Sequence, residues 1–306
     1  MKKYIIKRVF ISLITILVLV SVVFALVRLM PGDPFASEKL TPEIRANLEQ
    51  YYGFDKPLIV QYFTYLKNLV TGDLGYSMFY PNLRVNDIIA SAFPYSFDLG
   101  MRALAMAISF GLVLGIVAAL NRGKVLDFTC VLIAIIGTSM PDFIIGAILQ
   151  FFFGIKWGLL PVAQYKGISY TILPSIALGF YTLALVSRVM RANMIETIQQ
   201  DYIKTAKSKG ISKLRVVVKH QIRNAIMPVI TILGPIVAAL LTGTFVIESI
   251  FAIPGMGRHY VQSIQNLDYT IILGMTVFYG SFLVVANMIV DLLYGIIDPR
   301  IRVSGE

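Results

Sequence analysis

The sequence predicts an all-α, polytopic membrane protein with about six transmembrane helices. Its composition is 57% hydrophobic and only 14% charged, whereas soluble domains carry about a quarter charged residues. The apolar residues gather in runs long enough to cross a bilayer, with polar segments between them. Successive polar segments lie on alternate sides of the predicted membrane, and those on one side hold 17 Lys and Arg residues in total, against 8 on the other. The positive-inside rule assigns the richer side, which carries both termini, to the cytoplasm.

The chain begins with a basic segment that leads into an apolar run over about residues 9–29. The cations before the run are Lys2, Lys3, Lys7 and Arg8. A cleaved signal peptide has a similar start, but this run is long enough to span the membrane and is not followed by the small-x-small cleavage site of a signal peptide. We therefore predict a retained first transmembrane helix within residues 1–30, with Arg28 snorkelling at its outer end.

Residues 31–95 are too polar to span the membrane and are predicted to lie outside the cell. One surface helix is expected to start with Thr41 as its cap and Pro42 at its first position, and to stop at Gly53. A second is expected over about residues 57–70. The segment is either a passive cap or a docking surface for an external partner, and the sequence favours neither interpretation.

Five further apolar runs are expected to cross the membrane. They cover about residues 97–120, 128–153, 172–189, 226–250 and 271–293. A cytoplasmic tail follows at residues 294–306. The loop over residues 251–266 is expected to be an ordinary outer turn because it contains Pro254, Gly255 and Gly257.

The sequence offers no site for catalysis by this chain. It lacks the phosphate-binding G-x-x-x-x-G-K-[ST] loop, its two histidines are isolated, and no serine has a nucleophile's context. Cys130 is the one cysteine, which excludes an intrachain disulfide. The net charge of +10 resides largely in short loops beside apolar runs, so membrane topology explains it better than nucleic-acid binding does.

Asp142 stands out inside the predicted third span, directly after Pro141. In a continuous helix it would lie about 22 Å from the inner end, within the hydrocarbon. A carboxylate there must face protein or water, and the proline leaves backbone groups unpaired. Asp142 either satisfies this kinked backbone or a neighbouring span, which we favour, or lines a path across the membrane. Asp98 and Glu248 lie nearer the outer interface, where a structural role is expected.

A strongly basic stretch runs from Asp201 to Pro228, between the fourth and fifth spans. Its cations are Lys204, Lys207, Lys209, Lys213, Arg215, Lys219 and Arg223. Its apolar residues recur three to five apart, close to the rhythm of one helical face: Ile203, Ala206, Ile211, Leu214, Val218 and Ile222. We predict two short helices with a corner at Gly210 and Ser212 as the second N-cap. Taken alone, the pattern equally fits an amphipathic helix on an anionic membrane surface.

The form D-Y-I-x-T-A-K-x-K-G, followed by K-H-x-I-R-N-A-x-x-P, resembles the cytoplasmic loop of ATP-binding-cassette importer permeases. The general loop pattern is E-A-A, three residues, then Gly; here only Ala206 and Gly210 match it, whereas the longer form is typical of the peptide-transporter branch. The likeness extends to P-G-D-P at residues 31–34, to the region around Asp142 and to D-L-L-Y-G-I-I-D-P-R at residues 291–300. It covers essentially the whole chain and indicates a B-type permease subunit of oligopeptide or dipeptide importers.

The resemblance implies a type I importer permease fold with its core in residues 96–293. It also implies a set of residues that couple the loop to an ATPase: Asp201, Tyr202, Thr205, Ala206, Lys207, Gly210 and Ile211. Asp142 and Pro141 are weaker candidates for the translocation path. Three residues of the outer loop are weaker candidates for contact with a binding protein or substrate: Arg258, His259 and Tyr260.

The implied function is import of oligopeptides across the bacterial cytoplasmic membrane by alternating access. The implied partners are a homologous second permease, two cytoplasmic ATPase subunits and an extracytoplasmic peptide-binding lipoprotein. This chain would bind no cofactor, and its partners would use the ATP. The same machine could carry dipeptides, nickel chelates or another small solute. A gradient-driven transporter would favour ion-binding carboxylates or an inverted repeat, and a non-transporting scaffold would leave the loop motif unexplained.

Overall fold

The computed structural model describes residues 2–35, 42–80, 82–241 and 245–297. Within these ranges the regular structure is helical, apart from an isolated antiparallel bridge between Tyr76 and Arg84. Four helices are long and apolar enough to cross a membrane, and two bent helix pairs raise the number to as many as six. The predicted all-α membrane fold of about six spans is confirmed.

The first helix, α1 (Lys2–Arg28), packs chiefly against the last. Val20 and Phe24 are buried against Ile272, while much of the remaining α1 surface is exposed. Two short helices follow, α2 (Pro42–Tyr51) and α3 (Leu58–Val70). Gly53 has the left-handed conformation expected of a helix stop, with φ of 71°. The predicted Thr41 cap lies outside the described residues.

Asp268 holds the segment that follows α3 against the start of the last helix. This buried carboxylate accepts backbone hydrogen bonds from Met78 at 3.1 Å and Phe79 at 3.2 Å, and one from the Ser77 hydroxyl. It also accepts a bond from the Ile271 N–H, at 3.1 Å. The Asp268 side chain therefore attaches this segment to the start of the last helix.

Helix α4 (Val85–Leu120) begins earlier than the sequence predicted. The span was expected from about residue 97, after Pro94, but the helix continues through that proline. Val85, Ile88 and Ala92 lie on one face and are buried in a cluster with two later helices. This burial stabilises the helix despite the missing proline N–H, and it could not be read from local composition.

The predicted third span is broken. It comprises α5 (Val125–Ser139) and α6 (Asp142–Leu149), with a π-helical continuation over Gln150–Lys156. The two halves meet at an angle of 114°. Met140 is extended, with ψ of 133°, as residues before proline prefer. The expectation of one continuous helix was wrong, and the depth derived for Asp142 does not apply.

Helix α7 (Ile168–Ile198) packs closely against α4 and extends nine residues beyond the predicted end of the fourth span. Glycines permit this approach. A Cβ atom added at Gly115 would lie 2.6 Å from the Ser187 carbonyl oxygen, and one at Gly179 would lie 2.7 Å from that of Ala103. Such small-residue contacts are typical of transmembrane helix pairs.

The remaining helices connect the basic segment to the C-terminal span. They are α8 (Asp201–Ser208), α9 (Lys213–Val216), a π-helical turn (Val217–Ile222), α10 (Arg223–Ala225), α11 (Met227–Leu241), α12 (Phe245–Ile250), α13 (Met256–Gln265) and α14 (Tyr269–Ile297). The fifth predicted span corresponds to α11 and α12, and the sixth lies within α14. The expected turn at 251–266 was wrong, because most of that loop is α13.

We expect Gly115→Val to destabilise the protein, because the added side chain would force α4 and α7 apart. Overpacking of this kind costs about 1–3 kcal/mol. Ala105→Val is the matched control, since Ala105 is exposed on the same helix. Thermal unfolding of the purified proteins in detergent measures the difference. A melting temperature for Gly115→Val equal to that of the control would contradict the close contact.

Candidate functional site

The basic segment folds into a helical hairpin, which we call the basic hairpin (residues 201–225). Helix α8 ends in a Schellman motif centred on Gly210, which has φ of 71°. The Gly210 N–H donates to the Lys207 carbonyl at 3.0 Å, and the Ile211 N–H donates to the Ala206 carbonyl at 3.3 Å. The corner predicted at Gly210 is confirmed, and only glycine takes this backbone conformation without steric cost.

The basic hairpin has a small apolar core of its own. Ile203 and Ala206 of α8 are buried against Val216 of α9, and Ile211 packs onto them. Two residues expected to contact a partner, Ala206 and Ile211, therefore contribute to the internal packing that fixes the corner.

The other predicted coupling residues are accessible on the hairpin surface. Asp201, Tyr202, Thr205 and Lys207 are exposed. Lys204 Nζ lies 2.8 Å from Asp201 Oδ1, and this hydrogen bond lowers the pKa of the Asp201 carboxyl. These residues present a polar, largely cationic surface beside one aromatic ring.

Two apolar side chains that follow the Gly210 corner are also exposed on this surface. Leu214 and Val218 belong to the apolar series whose spacing is close to that of one helical face, but Leu214 is 75% exposed and Val218 is 53% exposed. After the corner, Val216 is the residue that packs against Ile203. Leu214 and Val218 are thus apolar side chains that are accessible to a partner on an otherwise polar hairpin.

The predicted N-cap of the second hairpin helix is only partly confirmed. Ser212 occupies the N-cap position of α9, with ψ of 142°, but its side chain makes no capping hydrogen bond. The Val216 N–H instead donates to the Ser212 backbone carbonyl at 3.0 Å.

The part of the basic hairpin that follows Gly210 packs against α7. Met190 and Met194 of α7 are buried in one cluster with Ala225 and with Ala119 of α4, and Ile222 packs against this cluster. The hairpin is thus joined to the α4–α7 pair by side-chain packing as well as by the chain connection at Gln199 and Gln200.

An ion pair fixes the same end of α7 to α5. Arg191 Nε lies 2.6 Å from Asp127 Oδ1, and Arg191 Nη2 lies 2.8 Å from Oδ2. The Gly123 N–H donates to the same carboxylate at 2.9 Å. The two parallel bonds make the pair bidentate. The Asp127 side chain is only 8% exposed, whereas the Arg191 side chain is 30% exposed. The pair is not visible in the sequence because its members are 64 residues apart and belong to different helices.

Asp142 is located at the break between α5 and α6. Its Oδ1 accepts a hydrogen bond from the Phe143 N–H at 2.8 Å, and the Ile144 N–H donates to the Pro141 carbonyl at 3.1 Å. A carboxylate at a helix N-terminus is favoured by the helix dipole. The contact agrees with the interpretation that Asp142 satisfies the backbone at the proline.

The three candidate residues of the outer loop lie on α13, and they differ in exposure. Arg258 is exposed, whereas His259 and Tyr260 are half-buried. The Tyr260 hydroxyl lies 3.1 Å from the Thr276 hydroxyl of α14. Arg258 is therefore available to a partner, and Tyr260 attaches α13 to α14.

Glu248 anchors the start of α13. This carboxylate is 1% exposed, and its Oε2 accepts a hydrogen bond from the Gly257 N–H at 2.8 Å. Nearby, the Ser96 hydroxyl accepts a bond from the Met256 N–H at 3.0 Å. Asp98 also has structural contacts, to Arg102 at 2.6 Å and to the Tyr165 hydroxyl. These contacts support the structural roles expected for Glu248 and Asp98.

No cluster of three or more His, Cys, Asp or Glu side chains suited to a metal occurs among the described residues.

Comparison with known proteins identifies relatives along the whole chain. Residues 111–303 match the family described as binding-protein-dependent transport system inner membrane component, and residues 1–100 match its N-terminal companion family. The chain is 46% identical to the dipeptide transport system permease protein of Bacillus subtilis, with 100% of both chains covered. It is 44% identical to the oligopeptide transport system permease protein of Haemophilus influenzae, with 99% of this chain and 100% of the relative covered.

A solved structure supports the fold. The crystal structure of an amino acid ABC transporter with histidines matches with a TM-score of 0.53 at 15% sequence identity. The match covers 68% of this chain and 93% of the other. At this identity the likeness concerns the fold alone, and it agrees with the predicted importer permease architecture.

We expect Asp127→Asn and Arg191→Gln each to destabilise the protein, because each leaves a charged or polar partner without its bidentate bonds. Breaking a fully buried pair costs about 3 kcal/mol, and the loss here should be smaller because the Arg191 side chain is 30% exposed. The double variant should lose less stability than the two single variants combined. Thermal unfolding of the wild type, the two single variants and the double variant measures these losses of stability. Strictly additive losses would contradict a direct interaction.

We expect His259 to make stability depend on pH. Burial, followed by the nearby Arg258 cation, lowers the pKa of His259 from its usual value of 6.5. Because the unfolded chain then binds this proton more readily, the His259 contribution is fully present above pH 6.5 and is lost as the pH falls toward the lower folded value. The melting temperature of His259→Gln should therefore fall less than that of the wild type when the pH is lowered from about 7.5 to 5.5. Identical pH profiles would contradict this assignment.

Proposed function

The chain belongs to the family of binding-protein-dependent transport system inner membrane components, and on that premise we propose that it is the permease subunit of an ATP-driven importer of oligopeptides. An extracytoplasmic binding protein would deliver the peptide. Full-length similarity to dipeptide and oligopeptide permease proteins supports this cargo class. Dipeptides are the second candidate cargo, because the Bacillus subtilis relative is a dipeptide permease. The family assignment favours an ATP-driven machine over a gradient-driven transporter.

The basic hairpin is the single observation on which the mechanism depends. It is stiffened by the Gly210 corner, carries exposed apolar side chains, and is packed onto α7. An ATPase that closes on ATP and grips this element would displace α7 together with it. A ligand or partner shifts a conformational equilibrium only through contacts that differ between the states, and the hairpin surface offers such contacts.

Two groups of hairpin residues have different tasks in this proposal. Those on the surface contact the ATPase: Asp201, Tyr202, Thr205 and Lys207, joined by Leu214 and Val218. The others keep the surface in shape: Ala206 and Ile211 through packing, and Gly210 through its backbone conformation. This chain binds no nucleotide of its own, and ATP is used by the partner subunits.

The complete assembly would contain this chain, a homologous second permease, two cytoplasmic ATPase subunits and an extracytoplasmic peptide-binding lipoprotein. The excess of Lys and Arg on one side supports cytoplasmic termini and a cytoplasmic hairpin in a bacterial cell membrane. The opposite side, with Arg258 and the segment after α1, would face the binding protein.

Co-purification tests the assembly and the contact surface together. The tagged wild-type chain should retain ATPase subunits and a second permease through purification. Leu214→Asp should lose the ATPase subunits while its melting temperature is unchanged, because Leu214 is exposed. Leu159→Asp is the matched control, since Leu159 is also exposed but lies outside the hairpin. Retention of the ATPases by Leu214→Asp would contradict the proposed surface, and a tagged wild-type chain that brings none would contradict the function.

We expect Gly210→Pro and Ala206→Asp to uncouple ATP hydrolysis from peptide uptake. Proline cannot adopt φ of 71° and removes the N–H bonded to Lys207. The aspartate would place a charge beside buried Ile203. Gly210→Ala should have a smaller effect, because a left-handed alanine costs about 1 kcal/mol. Peptide-stimulated ATPase activity in liposomes measures coupling, with Lys209→Ala as the control. Normal stimulation in Gly210→Pro would contradict the role of the corner.

A further inference from the structure

A cavity of about 430 Å³ lies between the end of α1, helices α2 and α3, and the start of α14. Three buried polar atoms without a hydrogen-bond partner belong to residues that line it: Arg28 Nη1, Gln61 Oε1 and the Tyr65 hydroxyl. Half of the unpartnered buried side-chain atoms found among the described residues are therefore gathered around one cavity. Leaving such groups unpaired is unfavourable, so their concentration indicates a ligand.

The unpartnered atoms define what the ligand must provide. The Arg28 guanidinium lies 4.0 Å from the Phe54 ring centre, and no carboxylate in the described ranges forms an ion pair with it. Asp73 also lines the cavity but pairs with Arg84 at 3.5 Å. Arg28 Nη1 is therefore free to donate to an anionic oxygen, for which a phosphate or carboxylate is suited.

The amide of Gln61 adds a second requirement. Its Nε2 donates to the Lys56 carbonyl at 2.7 Å, which leaves Oε1 as a free acceptor. A hydroxyl group beside the anion would satisfy it, and the Tyr65 hydroxyl can bond to either group. The aromatic rings of the lining, Phe24 and Phe54 among them, suit an apolar portion of the same ligand.

The surroundings of the cavity indicate lipid as the source of this anion. Helix α1 is peripheral, and Leu26 and Leu29 near its end are exposed. On α3, Tyr65 packs inward toward α1, whereas Ile59 and Phe63 are exposed on another face. An amphipathic helix with such a face lies at the boundary of headgroups and acyl chains. We infer from this face of α3 that the cavity lies at headgroup level.

We propose that this cavity binds the headgroup of an anionic phospholipid with a hydroxylated headgroup, such as phosphatidylglycerol. The phosphate accepts hydrogen bonds from Arg28 and Tyr65, and a headgroup hydroxyl donates to Gln61 Oε1. The acyl chains lie along the exposed apolar side chains of α1 and α3. This assignment does not depend on the transported cargo or on the direction of insertion, because it rests on one end of α1.

Lipid titration of the full-length chain in detergent tests the proposal. Melting temperature and native mass spectrometry are measured with phosphatidylglycerol, with phosphatidylcholine, and with free glycerol phosphate. We expect saturable stabilisation and a retained adduct with phosphatidylglycerol alone. Arg28→Gln and Tyr65→Phe should weaken its binding about tenfold or more. Arg45→Gln is the matched control, because Arg45 carries the same charge on α2 but does not line the cavity.

The unliganded proteins provide a check on folding. Without lipid, Tyr65→Phe should melt no lower than the wild type, because the substitution removes an unpartnered buried hydroxyl. Arg28→Lys, which keeps the charge and loses the planar fork, should bind phosphatidylglycerol with intermediate strength. Three results would overturn the proposal: equal binding of phosphatidylglycerol and phosphatidylcholine, equal binding of phosphatidylglycerol by Arg28→Gln and Arg45→Gln, or saturable stabilisation by free glycerol phosphate in place of lipid.

Discussion

The close approach of α4 and α7 is the contact on which the rest of the structure depends. Gly111, Gly115 and Gly179 bring backbone against backbone, so the two helices fit together with no room for an added methyl group. Three further attachments then converge on α7: the Asp127–Arg191 ion pair from α5, the methionine cluster under the basic hairpin, and the packing of α6. A helix fixed on so many sides transmits a displacement as a body, since packed interiors are not continuously deformable.

The bends of the chain lie outside the two helices α4 and α7. One is the extended Met140 before Pro141, and another separates α10 from α11. Between them, α7 runs for 31 residues as a helix, through Pro174, and the basic hairpin is packed against its end. In the proposed importer, force applied to the hairpin therefore reaches the membrane core through packed side chains. The corner at Gly210 contributes by keeping the exposed contact surface in a fixed orientation.

The sequence was sufficient where the cause is local. Long apolar runs predicted the spans, and Gly210 predicted the hairpin corner because its backbone requirement is a property of that residue. It was insufficient where distant residues decide. Helix α4 begins at Val85 because its first turns are buried by α13 and α14, and Asp127 meets Arg191 across 64 residues. Pro141 signalled a kink, but whether a proline bends a span or ends one helix and starts another is set by neighbouring helices.

The candidate site shows the same division. Helical spacing placed Leu214 in one apolar series with Ile203 but did not show which members of the series are buried; Ile203 is buried, whereas Leu214 is 75% exposed.

Coupling of the hairpin to the α4–α7 pair is tested most directly by the distance between spin labels at Ala105 on α4 and Lys219 on the hairpin, in a Cys130→Ser background and an assembly that hydrolyses ATP. We expect the same distance distribution in the nucleotide-free and ATP-bound states. A shift between the two states would show that the hairpin moves independently of the α4–α7 unit, and would contradict the account.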